Sequence, residues 1–214
     1  MSHLFIGVIA PCTILVPVII AIIKYAKLPL TVKHVFYYLL CSGGINLAAI
    51  ILSNRGINNL PLLHLLTLFE LYFLLTFYSV LFEDRTAVLI KYGRGITMLA
   101  SLANSVWLQS IYTFNSYARG LVAICIILTS LIYFIRVPEN KKKPAELYIA
   151  YGLLLYYAGS FFLYLFSNYL KKGYASSTVV WNINSSLVIA LYIFTTVGIL
   201  KCNQRTTTSI SCFS

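Results

Sequence analysis

One acidic side chain lies inside a long apolar run. Glu70 follows Leu60-Pro61-Leu62-Leu63-His64-Leu65-Leu66-Thr67-Leu68-Phe69, with His64 and Thr67 at steps of three before it. On a helix, six residues rise about 9 Å and turn through about 120°, so His64, Thr67 and Glu70 form a drifting polar stripe. A carboxylate in hydrocarbon costs several kcal/mol unless it is protonated, paired or facing water. The stripe therefore has three uses to choose from: anchoring a ligand, carrying a proton, or fixing helix packing. Asn46, Asn104, Asn182, Asn184, Ser185 and Ser186 are further polar residues of apolar runs, and the inner halves hold only scattered Thr and Ser such as Thr76, Ser79, Thr195 and Thr196. Glu70, His64, Thr67, Asn184, Asn104, Asn46 and Tyr157 form the candidate ligand or proton site, with Tyr164 and Trp107 as further aromatic walls.

The elements that hold these residues follow from composition. Of 214 residues, 60% are apolar and 10% charged, where soluble domains run at about a quarter charged. Mean hydropathy is +0.86. A water-soluble globular enzyme, a disordered chain and a disulfide scaffold are excluded together. The five cysteines show no CxxC or metal spacing, and the net charge of +11 is dispersed between apolar runs rather than gathered on a nucleic-acid-binding face. No nucleic-acid partner, metal or cofactor is expected; the bilayer is the expected partner.

A spanning helix needs about 20 apolar residues. Seven segments fit, at about 4–23, 35–54, 60–82, 95–112, 118–135, 147–168 and 178–200. The expected fold is an all-α, polytopic bundle of seven transmembrane helices, a single domain over 1–200 with a short cytoplasmic tail at 201–214. Met1–Ile23 opens without a positive leader region, so it reads as a retained first span. With the N-terminus outside and the C-terminus inside, Lys24, Lys27, Lys33, Arg85, Lys91, Arg94, Arg136, Lys141, Lys142, Lys143, Lys201 and Arg205 are cytoplasmic. Arg55, Arg119, Lys171 and Lys172 then lie outside, a split of 12 against 4. Removing the fourth segment, which Ser101, Asn104, Ser105 and Gln109 interrupt, reduces the split to 9 against 7. Seven spans, N-out and C-in, is the better topology. It concentrates the intramembrane polar groups in the outer half, as a pocket open to the extracytoplasmic side.

Segments 1–3 and 5–7 share punctuation. Lys27-Leu28-Pro29 matches Arg136-Val137-Pro138, Ser42-Gly43-Gly44 matches Ala158-Gly159-Ser160, and Ser53-Asn54 matches Ser167-Asn168. Such small-residue patches let helices approach closely in lipid. A 3+1+3 pseudo-repeat of the kind used by small-solute transporters stays open, although the Pro-Gln signature of those proteins is absent.

Several activities lack their residues. The seventh segment has no lysine before Lys201 for a retinal Schiff base. Three histidines, with His34 on the cytoplasmic side, make a poor intramembrane zinc set. Nucleophile elbows, nucleotide loops and paired haem histidines are missing, so an enzyme has little support.

The stretch Asn58-Asn59-Leu60-Pro61-Leu62-Leu63-His64 followed by Glu70, with Tyr157-Ala158-Gly159-Ser160-Phe161-Phe162 and Ser167-Asn168, resembles a group of short bacterial seven-helix membrane proteins without assigned activity. Trp181-Asn182-Ile183-Asn184 departs from it, having no histidine where the group would carry one. Some members neighbour soluble sensor kinases, so the resemblance implies a detached membrane sensor. The only N-glycosylation triplet, Asn184-Ser185-Ser186, is inside a span, in keeping with a bacterial cytoplasmic membrane. The leading expectation is a sensor or receptor-like module that binds a small or lipidic ligand in an outward-facing polar pocket and signals to a cytoplasmic protein. A proton-coupled or small-solute transporter comes second, with Glu70 as the coupling carboxylate. An intramembrane lipid-modifying enzyme using His64 and Glu70 comes third.

Overall fold

The computed structural model describes residues 9–137, 143–170 and 174–202, with side chains described outside 165–177. Residues 1–8, the Lys141-Lys142 pair, Lys171 and Lys172, and tail positions 203–214 lie outside the described residues. The described chain is all-α. Its helices are α1 (Ala10–Ile23, interrupted at Thr13 and Ile14), α2 (Leu30–Asn54), α3 (Leu60–Leu81), α4 (Arg85–Ala103), α5 (Ser116–Arg136), α6 (Pro144–Leu170) and α7 (Tyr174–Lys201). Five of these seven, α2, α3, α5, α6 and α7, contain stretches long and apolar enough to cross a bilayer. The protein is a multi-pass helical membrane protein.

Local chemistry sets the helix ends. Pro29 holds an extended backbone before α2, because its ring fixes φ and its missing N–H ends the preceding turn. Gly56 closes α2 at φ +70°, where the Ile57 N–H reaches the Leu52 carbonyl (2.9 Å) and the Gly56 N–H the Ser53 carbonyl (3.0 Å). These are the two bonds of a Schellman cap, which needs a left-handed residue at this position. Asn58 Oδ1 accepts from the Leu60 N–H (2.9 Å), and Pro61 falls in the first turn of α3, where an N–H is dispensable.

The fourth helix begins earlier than the expected 95–112 span. Asp84 caps it by accepting from the Thr86 N–H, so the helix starts at Arg85 and takes in Lys91 and Arg94. Arg94 donates to Thr76 Oγ1 and stands 5.0 Å over the Tyr72 ring, which gives its charge partners on α3. These basic residues also keep α4 out of the apolar set. At its far end α4 widens into a π turn over Asn104–Leu108.

Six helices pack in a closed ring in the order α1, α2, α3, α5, α6, α7, and α4 lies against α3 with lighter contact to α5. The most extensive contact is α6 with α7. Glycine makes it: a Cβ on Gly152 would lie 2.7 Å from Phe194 Cβ, on Gly159 2.7 Å from Leu187 Cδ1, and on Gly198 2.7 Å from the Ala145 carbonyl oxygen. Of the two small-residue patches, only Ala158-Gly159-Ser160 is pressed this closely. Gly43 sits at ordinary distance from Ile14 of α1, and Gly44 faces open space.

Candidate functional site

Glu70 is the eleventh residue of α3 and faces the ring's interior, almost fully buried at 2% exposure. Its partner is Arg119, the fourth residue of α5, whose Nη2 lies 3.4 Å from Glu70 Oε1. Arg119 Nη2 also donates to the Tyr164 hydroxyl at 3.2 Å, and its guanidinium carbon is 4.6 Å from the centre of the Tyr164 ring. The Tyr164 hydroxyl in turn bonds that of Tyr156. A buried chain Glu70–Arg119–Tyr164–Tyr156 therefore ties α3, α5 and α6 together. Arg119 is a buried helical residue rather than a loop charge.

The pair lies on the wall of a cavity of about 250 Å³ in the middle of the ring. Every ring helix contributes: Pro11 from α1, Tyr38, Ser42 and Asn46 from α2, Leu63, Leu66 and Glu70 from α3, Arg119 from α5, Tyr156 and Tyr164 from α6, and Asn184, Ser185 and Tyr192 from α7. Phe114 and Trp181, an edge-to-face pair 6.0 Å apart, close one side. Asn46 and Tyr164 lie in the C-terminal halves of α2 and α6, and Leu63, Leu66, Glu70 and Arg119 in the N-terminal halves of α3 and α5, while Tyr38, Tyr156, Leu191 and Tyr192 lie at or just beyond the helix midpoints. The cavity therefore lies mainly in the half of the bundle that carries the α2–α3 and α4–α5 turns and reaches its middle.

Of the seven sequence candidates, Glu70, Asn46 and Asn184 line this cavity. Asn46 donates to Ser42 (3.5 Å), and Asn184 accepts from Ser160 (3.2 Å), so both are held by neighbours on the lining helices. Tyr157 is fully buried close behind Glu70 without lining the space, its hydroxyl directed at the Glu70 carboxyl. His64, Thr67 and Asn104 go elsewhere. The His64 ring bridges Ser105 Oγ (Nδ1, 2.7 Å) and the Thr113 carbonyl (Nε2, 3.3 Å). Asn104 donates to Gln109 and Asn115, and Asn115 donates to Thr67 Oγ1 (3.2 Å). This second network pins the π turn of α4 and the following loop onto α3. Helical rotation explains the division: His64 and Glu70 are about 120° apart around α3, so one meets α4 while the other meets the cavity. Trp107 is 81% exposed and forms no wall.

Sequence reasoning missed Arg119, Tyr38 and Tyr192. Arg119 carried a usable signal, since it lies one residue inside the apolar run and Glu70 needed a partner. The tyrosines had none among 17. No group of three or more His, Cys, Asp or Glu suited to a metal occurs among the described residues. Comparison with protein-family models, curated proteins and solved structures finds no match to this chain.

Proposed function

We propose that this protein is a seven-helix sensor module of a bacterial cytoplasmic membrane. Its N-terminus lies outside and its C-terminus inside, and a small or lipidic ligand occupies the Glu70–Arg119 cavity from the outer side. The observation that carries this reading is that most of the cavity's lining comes from one half of the ring. On the opposite side Leu39, Leu74, Tyr78, Ile126, Ile149 and Leu153 form a buried layer, each 1% exposed or less. Beyond that layer a separate cleft of about 530 Å³ opens at the far end, lined by Thr31, Asp84, Arg136, Lys143 and Glu146. Lys24, Lys27, Arg85, Lys143 and Lys201 cluster toward that end, which the positive-inside rule makes cytoplasmic. A pocket with a sealed floor suits ligand binding, with the output passed to a cytoplasmic protein through the basic loops.

Transport is the second reading. The observation that favours it is the arrangement of α1–α2–α3 and α5–α6–α7, each packed in chain order, with α4 outside the ring. Transport would require the floor to repack. The enzyme reading loses its acid–base pair, because His64 is engaged by Ser105 and Thr113 and does not share the cavity.

A small-molecule thermostability screen on the purified protein in nanodiscs tests the proposal, run beside solute uptake into proteoliposomes. The sensor reading expects compounds that stabilise the wild type but not a Ser42→Trp variant, whose indole would fill the cavity, and no flux above protein-free vesicles. Flux abolished by Glu70→Gln would replace it with transport.

A further inference from the structure

We propose that the cavity takes a small zwitterion whose anionic and cationic groups lie close together on an apolar body, the pattern of an α-amino acid with an aliphatic side chain. This rests on the cavity being a binding site, as proposed above, and names the chemistry of its ligand.

Charge balance comes first. Among the described residues, Glu70 and Arg119 are the only charged side chains on the lining, and their charges cancel. A buried ion pair offsets its desolvation only with close geometry and saturated hydrogen bonding. This pair makes a single long contact. One nitrogen approaches one oxygen at 3.4 Å, end-on, where a saturated arginine–carboxylate pair is bidentate and shorter. Arg119 Nη1 and Nε make no hydrogen bond to a described residue, and Arg119 lines the cavity. Part of the Arg119 fork thus has no partner among the described residues and is free to meet a ligand in the cavity.

A singly charged ligand would neutralise one member and leave the other buried without a counter-charge. A zwitterion neutralises both. Its carboxylate fits the open fork of Arg119, which matches a planar two-oxygen acceptor. Its ammonium replaces Arg119 beside Glu70 Oε1, where the Tyr38 and Tyr192 side chains of the same wall offer π faces and hydroxyl oxygens. Because the two protein charges are adjacent, the ligand's charges must be adjacent too. Leu63, Leu66, Phe114, Trp181, Val188 and Leu191 supply the apolar remainder of the wall. The cavity volume of about 250 Å³ equals about eight waters at about 30 Å³ each, room for a molecule of about ten heavy atoms.

Norleucine and its two matched truncations, pentylamine without the carboxylate and hexanoate without the amine, form the test. Binding to wild-type protein in nanodiscs is measured by calorimetry up to about 10 mM. Norleucine is expected to bind at least about tenfold more tightly than either truncation, a difference of about 1.4 kcal/mol. Arg119→Gln should then favour pentylamine over norleucine, and Glu70→Gln should favour hexanoate. The wild-type comparison stands even where a variant fails to fold. Equal or tighter binding of a truncation overturns the proposal, as does no norleucine binding at the highest concentration. If norleucine fails while other compounds stabilise the wild type and not Ser42→Trp, the ligand class falls and the sensor reading stands. If norleucine binds and also crosses proteoliposomes, the ligand class stands and the sensor reading falls.

Discussion

Removing either member of the Glu70–Arg119 pair should be far more damaging than removing both. At 3.4 Å and an effective dielectric constant of about 20, the attraction is about 5 kcal/mol. Arg119→Met leaves a carboxylate inside the ring with no counter-charge and takes a donor from Tyr164. Glu70→Leu strands a guanidinium. Each single change is expected to cost about 3–5 kcal/mol, whereas an apolar pair of similar volume is often neutral. The double variant should therefore be more stable than either single one, with a coupling energy of at least about 2 kcal/mol where independent sites add to within about 0.5 kcal/mol. Reversible unfolding in mixed detergent micelles, followed by tryptophan fluorescence, reads all four corners of the cycle. For a chain of this size, about 4 kcal/mol corresponds to a loss of roughly 8–16 °C in Tm. Additive single effects, or a double variant less stable than both singles, would refute the view that the two charges form one unit.

Four further outcomes follow from the packing and the helix ends. Gly198→Ala puts a methyl group 2.7 Å from the Ala145 carbonyl oxygen, and backbone cannot step aside, so the variant should lose about 1–3 kcal/mol. Gly44→Ala meets nothing within 4 Å and should be neutral or gain up to about 1 kcal/mol, as thermal melts of the pair will show. Burial pushes the Cys202 thiol, just past the end of α7, up to about 11 from 9.0. At about pH 8 its alkylation, in a background with the other cysteines replaced by serine, should run about a hundredfold slower than that of an unperturbed thiol. Hydrogen bonds from Thr86, with Arg136 nearby, hold the Asp84 carboxyl below its usual 3.8. The stability it contributes is present above that value and lost as pH falls through the folded pKa. Asp84→Ala should therefore melt below wild type at neutral pH, with the two curves converging in acid.

Much of the architecture was legible because membrane residence writes itself in long apolar runs. Five of the seven expected spans correspond to long apolar helices, and their order and ends follow from Pro29, Gly56 and Pro61. The fourth helix was misplaced by ten residues at its start, because Lys91 and Arg94 read as loop charges. They are helical in the structure, with Arg94 held by Thr76 and Tyr72. Glu70 announced itself as the only acid in an apolar run. Arg119 did not, since a base at the edge of such a run counts equally well as topology. His64, Thr67 and Asn104 looked like site residues because polarity inside a span marks a need for partners, and partners can be structural. Which face of α3 meets α4 and which meets the cavity is set by packing among helices distant in sequence, beyond the reach of spacing on one helix.

The central claim is a cavity open to the outer side with a sealed floor. Asn184→Cys, in a background with the native cysteines replaced, places a thiol on the cavity wall of protein embedded in oriented vesicles. A membrane-impermeant thiol reagent applied to either face measures access. Labelling only from the side opposite Lys24, Lys143 and Lys201 is the predicted result. Labelling from the lysine-bearing side, alone or in addition, would contradict the account.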